Sequence, residues 1–130
     1  MREPLFLSKE EVLALHHRQI ELFGGDMGLG DSGLLESALA QPQNTYLYRS
    51  DADLLDIAAA YAFHLAKNHP FNDGNKRTAL QAALTFLKLN GVTIIIGPDA
   101  LYGAMICLTT GESNKDEFAV FLRKHSQRSA

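Results

Sequence analysis

The chain has 130 residues, 46% of them hydrophobic and 21% charged, with 12 Lys and Arg against 15 Asp and Glu, a net charge of −3. That length fits a single domain over residues 1–130 with one core, and the acidic balance argues against direct binding to nucleic acid. Cys107 is the only cysteine, which excludes an intramolecular disulfide and any multi-cysteine metal site; within "AMICL" it reads as a small buried hydrophobe.

The first residues, "MREPLFLSKE", lack the apolar stretch of a signal peptide. No apolar run reaches the roughly 18 residues that a membrane span requires. The expected compartment is the cytoplasm, without a membrane partner.

Ser8 with Glu11 has the spacing of a capping box, and Leu7 with Val12 that of a hydrophobic staple. The first helix then runs to about Phe23, with Val12, Leu15, Ile20 and Phe23 as core candidates and Gly24 just past its end. "GGDMGLGDSG" lacks the GxxxxGK[ST] pattern of a phosphate loop and follows no strand, so it reads as a spacer. Asp31 or Ser32 caps a short helix carrying Leu35, Ala38 and Leu39. Pro42 is expected to stop that helix, and Thr45–Tyr48 has strand-like composition. This segment reads as an extended loop or small hairpin.

Ser50 and Asp53 form a second capping pattern, ahead of "LLDIAAAYAFHLA". This run is apolar nearly all round, the mark of a central helix. "TALQAALTFLKLNG" has the same character and ends at Gly91. "VTIII" is a short β-branched run, a strand or an extended connector. Pro98 suits the first position of a helix reaching about Thr109. Ser113 with Asp116 caps a last helix bearing Phe118, Val120, Phe121 and Leu122. About six helices with little strand predict an all-α fold.

The two most apolar helices are joined by "KNHPFNDGNKRTAL", residues 67–80. The pattern starts the second of them near Lys76, so "DGN" lies at its N-terminus, where the first amides have no internal acceptors. Those amides and the helix dipole favour an anion. Gly74 permits the backbone conformation that lets consecutive amides converge, and Lys76 and Arg77 add positive charge. Asp73 would repel a bare phosphate, but suits a Mg²⁺ ion shared with a nucleotide. His69, four residues earlier, can take a proton from an attacking hydroxyl. Taken singly, each residue has a plainer reading: a helix end, an N-cap, a solvated first turn. Two adjacent cations in a first turn oppose the dipole, however, and the full set fits phosphoryl transfer. His16 and His17 point in different directions and form no metal pair; His64 reads as a satisfied core residue and His125 as part of a frayed tail.

"HPFNDGNKRTA" resembles the signature of the Fic/Doc superfamily, H-x-F-x-[D/E]-[G/A]-N-[G/K]-R, at His69, Phe71, Asp73, Gly74, Asn75, Lys76 and Arg77. "LHHRQIELFGG", "DSGLLESAL", "FLKLNGV" and "TTGESNKDEFAVFLR" resemble segments of the death-on-curing (Doc) toxins in the same order. The resemblance implies a compact helical bundle with a small β-hairpin flap, at roughly Gln41 to Arg49, that positions a target polypeptide. It implies that His69 is the general base, that Asp73 binds Mg²⁺, and that the Gly74–Asn75 backbone and Arg77 hold the phosphates of ATP. Lys67 falls where Doc-type toxins often have a basic residue and is a weaker nucleotide contact; a cation near a helix C-terminus also explains it.

Most Fic enzymes have glycine where this chain has Lys76, and a second arginine where it has Leu80; they transfer AMP. In Doc toxins the lysine goes with a reversed nucleotide, so the resemblance implies transfer of the γ-phosphoryl group to a hydroxyl, with a threonine of elongation factor Tu as target. Ser113 to Glu117 matches only part of the family's inhibitory-helix pattern, because Phe118 follows. A separate small antitoxin with a disordered C-terminal segment is therefore the expected partner. AMP transfer, and a catalytically degenerate antitoxin-binding co-repressor, are the alternatives.

Overall fold

The computed structural model describes residues 2–129. Among them the chain forms α1 (Lys9–Phe23), α2 (Ser32–Tyr48), α3 (Leu54–Asn68), α4 (Asn75–Leu89), β1 (Val92–Ile94), α5 (Pro98–Thr110), α6 (Lys115–Lys124) and β2 (Ser126–Arg128). The expected all-α architecture is observed.

α3 is the hub, packed chiefly against α4 and α2 and, on another side, α6. Its run of small residues explains this. Ala58, Ala59, Ala60 and Ala62 are all buried, so neighbouring backbones approach closely. The larger Ile57, Tyr61, Leu65 and Phe86 fill the space between the helices. Tyr61 is fully buried, yet its hydroxyl accepts from the Leu7 amide at 2.9 Å, so no polar group is stranded there. That bond also ties the N-terminal segment to the core beside the Ser8–Glu11 capping box, which forms as expected.

The segment expected as a hairpin flap, Gln41 to Arg49, is helical instead. α2 continues through Pro42 to Tyr48, and Arg49 is its C-cap. Proline inside a helix costs about 3 kcal/mol in a solvated setting, so tertiary packing must outweigh it. Leu35, Ala38 and Pro42 are buried, and Leu39 and Tyr46 lie against the core. These five form one helical stripe facing the bundle. Thr45 Oγ1 donates to the Gln41 carbonyl at 2.9 Å, and Tyr46 meets Phe6 edge-on at 6.1 Å.

The strands lie elsewhere. β1 pairs antiparallel with β2, with Val92 opposite Arg128 and Ile94 opposite Ser126. The tail expected to fray is therefore paired, and His125 caps α6 while its ring lies 5.0 Å from Phe121.

Two caps sit one to three residues from their expected places. Asp53, with Asp56, caps α3, and Asn114, with Glu117, caps α6. The Asx side chains hold the acceptor position that the sequence pattern gave to Ser50 and Ser113. Cys107 is half-buried rather than buried. No helix among the described residues is long and apolar enough to cross a membrane.

Candidate active site

Residues 69–74 connect α3 to α4, and three sets of contacts hold them in place. α3 stops because His69 precedes a proline, which disfavours right-handed helical backbone. His69 sits at φ 53°, ψ 52°, the sole non-glycine residue with positive φ among the described residues. Such a conformation costs on the order of 1–3 kcal/mol and persists only where the surroundings enforce it.

The first set of contacts is a clamp. Asn75 is 5% exposed, and its Oδ1 accepts from the Phe71 amide at 3.0 Å while its Nδ2 donates to the Phe71 carbonyl at 2.9 Å. The second is made with the α1–α2 connection. Pro70 carbonyl accepts from the Gly30 and Asp31 amides at 2.8 and 3.0 Å, and the Asn72 amide donates to Gly28 at 3.0 Å. The third comes from α1. The buried His16 ring stacks on Phe71 at 3.8 Å, and its Nε2 donates to the Asp73 carbonyl at 2.8 Å.

The connection thereby delivers an open helix N-terminus. Gly74 caps α4 at φ 79° with no side-chain cap. The first bond of the helix is from the Thr78 amide to the Gly74 carbonyl at 3.0 Å. The amides of Asn75, Lys76 and Arg77 precede it and have no intrahelical acceptor. The space above Gly74 is limited, because a Cβ there would lie 3.2 Å from Ile20 Cδ1 and 3.6 Å from His16 Cδ2.

A cleft of about 800 Å³ opens over this N-terminus. His69, Asp73, Gly74, Asn75, Lys76 and Arg77 all line it, and so does Lys67 at the end of α3. The structure thus brings together every residue singled out in the connecting stretch as a ligand or base. Asn75 contributes only backbone, since its side chain is spent on the clamp. Phe71 is the buried anchor and stands outside the cleft. Among the described residues, no carboxylate lies within ion-pair distance of Lys67, Lys76 or Arg77. Three cations without a carboxylate partner line the same cleft as three unpaired amides, an arrangement suited to an anion.

Asp73 supplies the opposite charge. Its Oδ2 accepts from the Asp26 amide at 2.7 Å, and its other oxygen has no protein partner among the described residues. No group of three or more His, Cys, Asp or Glu side chains suited to a metal is present among them. This donor set suits a hard cation that takes one carboxylate and completes its shell with phosphate oxygens and water, as Mg²⁺ does; it does not suit zinc.

Four contributors were not read from the sequence: His16, Asp26, Phe23 and Tyr102. His16 had a usable signal, because it shares one helical face with Val12 and Ile20, the face that is buried. Asp26 acts through its backbone, which leaves no mark in side-chain chemistry. Phe23 was expected in the core but is 58% exposed. The Arg77 guanidinium carbon lies 3.9 Å from the Phe23 ring centre and 4.6 Å from that of Tyr102, on α5.

A second cluster borders the cleft. Phe63 has Lys67 Nζ at 5.2 Å and Lys115 Nζ at 5.5 Å from its ring centre. Lys115 Nζ donates to His64 Nε2 at 3.0 Å. Burial, then the Lys115 and Lys67 charges, push the His64 ring down to about 4, so it is a neutral acceptor at pH 7.

A sequence model described as the Fic/DOC family matches residues 6–87. The chain is 38% identical over 118 residues to "Protein kinase doc" of Escherichia phage P1, covering 91% of this chain and 93% of that protein. It is 47% identical over 91 residues to "Toxin Doc" of Mycolicibacterium smegmatis, covering 68% of this chain and 67% of that protein. With the motif at the junction of two central helices and the match running through both, the chain belongs to the Fic/DOC family.

Proposed function

We propose that this protein is the toxin of a toxin–antitoxin pair, a phosphotransferase that moves the γ-phosphoryl group of ATP to a hydroxyl of a translation factor. The favoured acceptor is a threonine of elongation factor Tu, whose modification stops translation. The observation that carries the reading is Lys76. A long cationic side chain stands at the mouth of three unpaired amides, with no carboxylate partner among the described residues. In this reading such a side chain would fill space that a glycine leaves open for the diphosphate in AMP transfer, and its charge would neutralise phosphate instead. The names of the two relatives, a protein kinase and a toxin, support the same choice.

In this reading, ATP with Mg²⁺ supplies the phosphoryl donor. Asp73 offers its free oxygen to the ion, and the Asn75, Lys76 and Arg77 amides receive phosphate oxygens. Lys76 and Arg77 neutralise charge that builds on the leaving diphosphate, and Lys67 meets the nucleotide from the end of α3. His69, exposed at the end of α3, takes the threonine proton on a ring nitrogen as the hydroxyl oxygen bonds to the γ-phosphorus. The bond from that phosphorus to the bridging oxygen breaks, leaving ADP and phosphothreonine. A small antitoxin with a disordered C-terminal segment is the neutralising partner, and the cytoplasm, where translation takes place, is the expected compartment.

The test uses ATP labelled separately at the α and γ phosphates, with elongation factor Tu as acceptor. Label from γ is expected in the acceptor; label from α would establish AMP transfer instead. His69→Ala is expected to lower the rate about 10²–10⁴-fold and to abolish growth arrest. Growth arrest that survives this change would leave the protein as a non-catalytic binding module. Lys76→Gly is expected to weaken phosphoryl transfer, and unchanged phosphorylation would remove Lys76 from the choice of donor orientation.

A further inference from the structure

Arg77 is held in an unusual way. Two aromatic rings lie against its guanidinium, Phe23 from the last turn of α1 and Tyr102 from α5, at 3.9 and 4.6 Å. No hydrogen bond or ion pair engages its side chain among the described residues. Stacking on ring faces fixes the plane of a guanidinium without using any of its five N–H donors. Phe23 adds little to the core, being 58% exposed, and its ring lies against Arg77.

The same three side chains, together with Gln19, border two spaces. They line both the 800 Å³ space over the α4 N-terminus and a second, smaller space of about 260 Å³. Leu80, Leu84, Ile96 and Leu101 give that second space an apolar lining. A guanidinium released from the rings would have room to swing toward it, away from the anion site.

The geometry points to Phe23 and Tyr102 as positioning residues that hold Arg77 at the phosphate site with all its donors free. The inference rests on the phosphate-binding reading of the cleft and adds to it the two side chains that set how well Arg77 performs. Neither ring needs to touch the nucleotide. Their effect is to remove the cost of ordering a flexible cation when phosphate binds.

Binding of Mg-ATP by calorimetry, independent of turnover, tests it on wild type, Arg77→Ala, Phe23→Leu, Tyr102→Leu, the Leu double variant and Tyr102→Phe. Each Leu variant is expected to raise Kd about 2–5-fold, the worth of one partly exposed cation–π contact. The double variant is expected to approach Arg77→Ala, and Tyr102→Phe, which keeps the ring, to stay within about twofold of wild type. The Arg77 Nε–H resonance is expected to report slow guanidinium rotation in wild type and fast rotation in the double variant. Thermal melts establish that each variant is folded.

Wild-type affinity in the double variant, alongside weakened Arg77→Ala, would overturn the inference alone. So would tighter binding in the Leu variants, which would mean the rings restrain Arg77 away from the ligand, or an unchanged Arg77 resonance. No Mg-ATP binding by wild type, or full affinity in Arg77→Ala, would instead overturn the phosphate-site reading beneath it, and the inference with it.

Discussion

His16 and Asp73 are 57 residues apart, and one hydrogen bond joins them: the ring Nε2 donates across 2.8 Å to the Asp73 carbonyl oxygen. Since a carbonyl can only accept, the ring carries its proton on Nε2. The bond sets the plane of the Asp73–Gly74 peptide, and hence the direction of the amides that follow. His16→Phe preserves the stack on Phe71 but leaves that carbonyl without its donor. A stability loss of about 1–3 kcal/mol is expected in urea, with weaker Mg-ATP binding. Unchanged binding would show that the peptide holds its orientation without His16.

The Asn75 clamp is expected to matter more to folding than to ligand contact. Asn75→Ala removes two buried hydrogen bonds and strands both polar groups of Phe71. Each stranded group costs about 1–3 kcal/mol, so the urea midpoint should fall markedly. A shift within error would mean that water replaces the amide there.

Gly25 is a distant handle on Asp73. It lies at φ +118°, and an added Cβ would stand 3.0 Å from Asp73 Cβ. Gly25→Ala is expected to displace the carboxylate and weaken Mg-dependent nucleotide binding. Gly97→Ala, at φ −65° with no atom within 4 Å of the added Cβ, is the matched control and should be silent. Equal effects in the two would argue that Gly25 acts only through chain flexibility.

Acid should lower the stability of the protein over two pH windows with different owners. His64 in the folded chain lies at about 4, below its usual 6.5. The unfolded chain takes up that proton first, so the stability from neutral His64 is intact above about pH 6.5 and drains away as pH falls toward 4. Asp53 follows. Burial alone would raise it, but the paired hydrogen bonds from Arg123, both 2.9 Å, hold it down to about 2. Its contribution is present above about pH 3.8 and is lost between there and 2. Urea midpoints across pH should lose the upper slope in His64→Gln and the lower slope in Arg123→Ala. An upper slope that survives in His64→Gln would assign it to another group.

Much of this was legible in the chain because it is local. The helices around α3 follow from apolar periodicity and caps, and the gathering of residues 67–77 at a helix start follows from a proline, a glycine and the apolar run after them. The failures were equally physical. Pro42 and the aromatic run after it obey local propensity for a turn, but a stripe from Leu35 to Tyr46 buries itself on the bundle and carries the helix through. Ser50 and Ser113 have cap spacing, yet Asp53 and Asn114 are better placed to accept.

What the sequence by itself determined is the composition of the candidate site: which groups stand at the α4 N-terminus. Local rules suffice for that, since a helix start and a positive-φ glycine depend on neighbours in the chain. Tertiary structure alone decided how the groups are held. His16, Asp26, Phe23 and Tyr102 reach the motif from α1, the loop after it and α5. Their contacts span distances in sequence over which periodicity carries no information, because they exist only once the helices have packed.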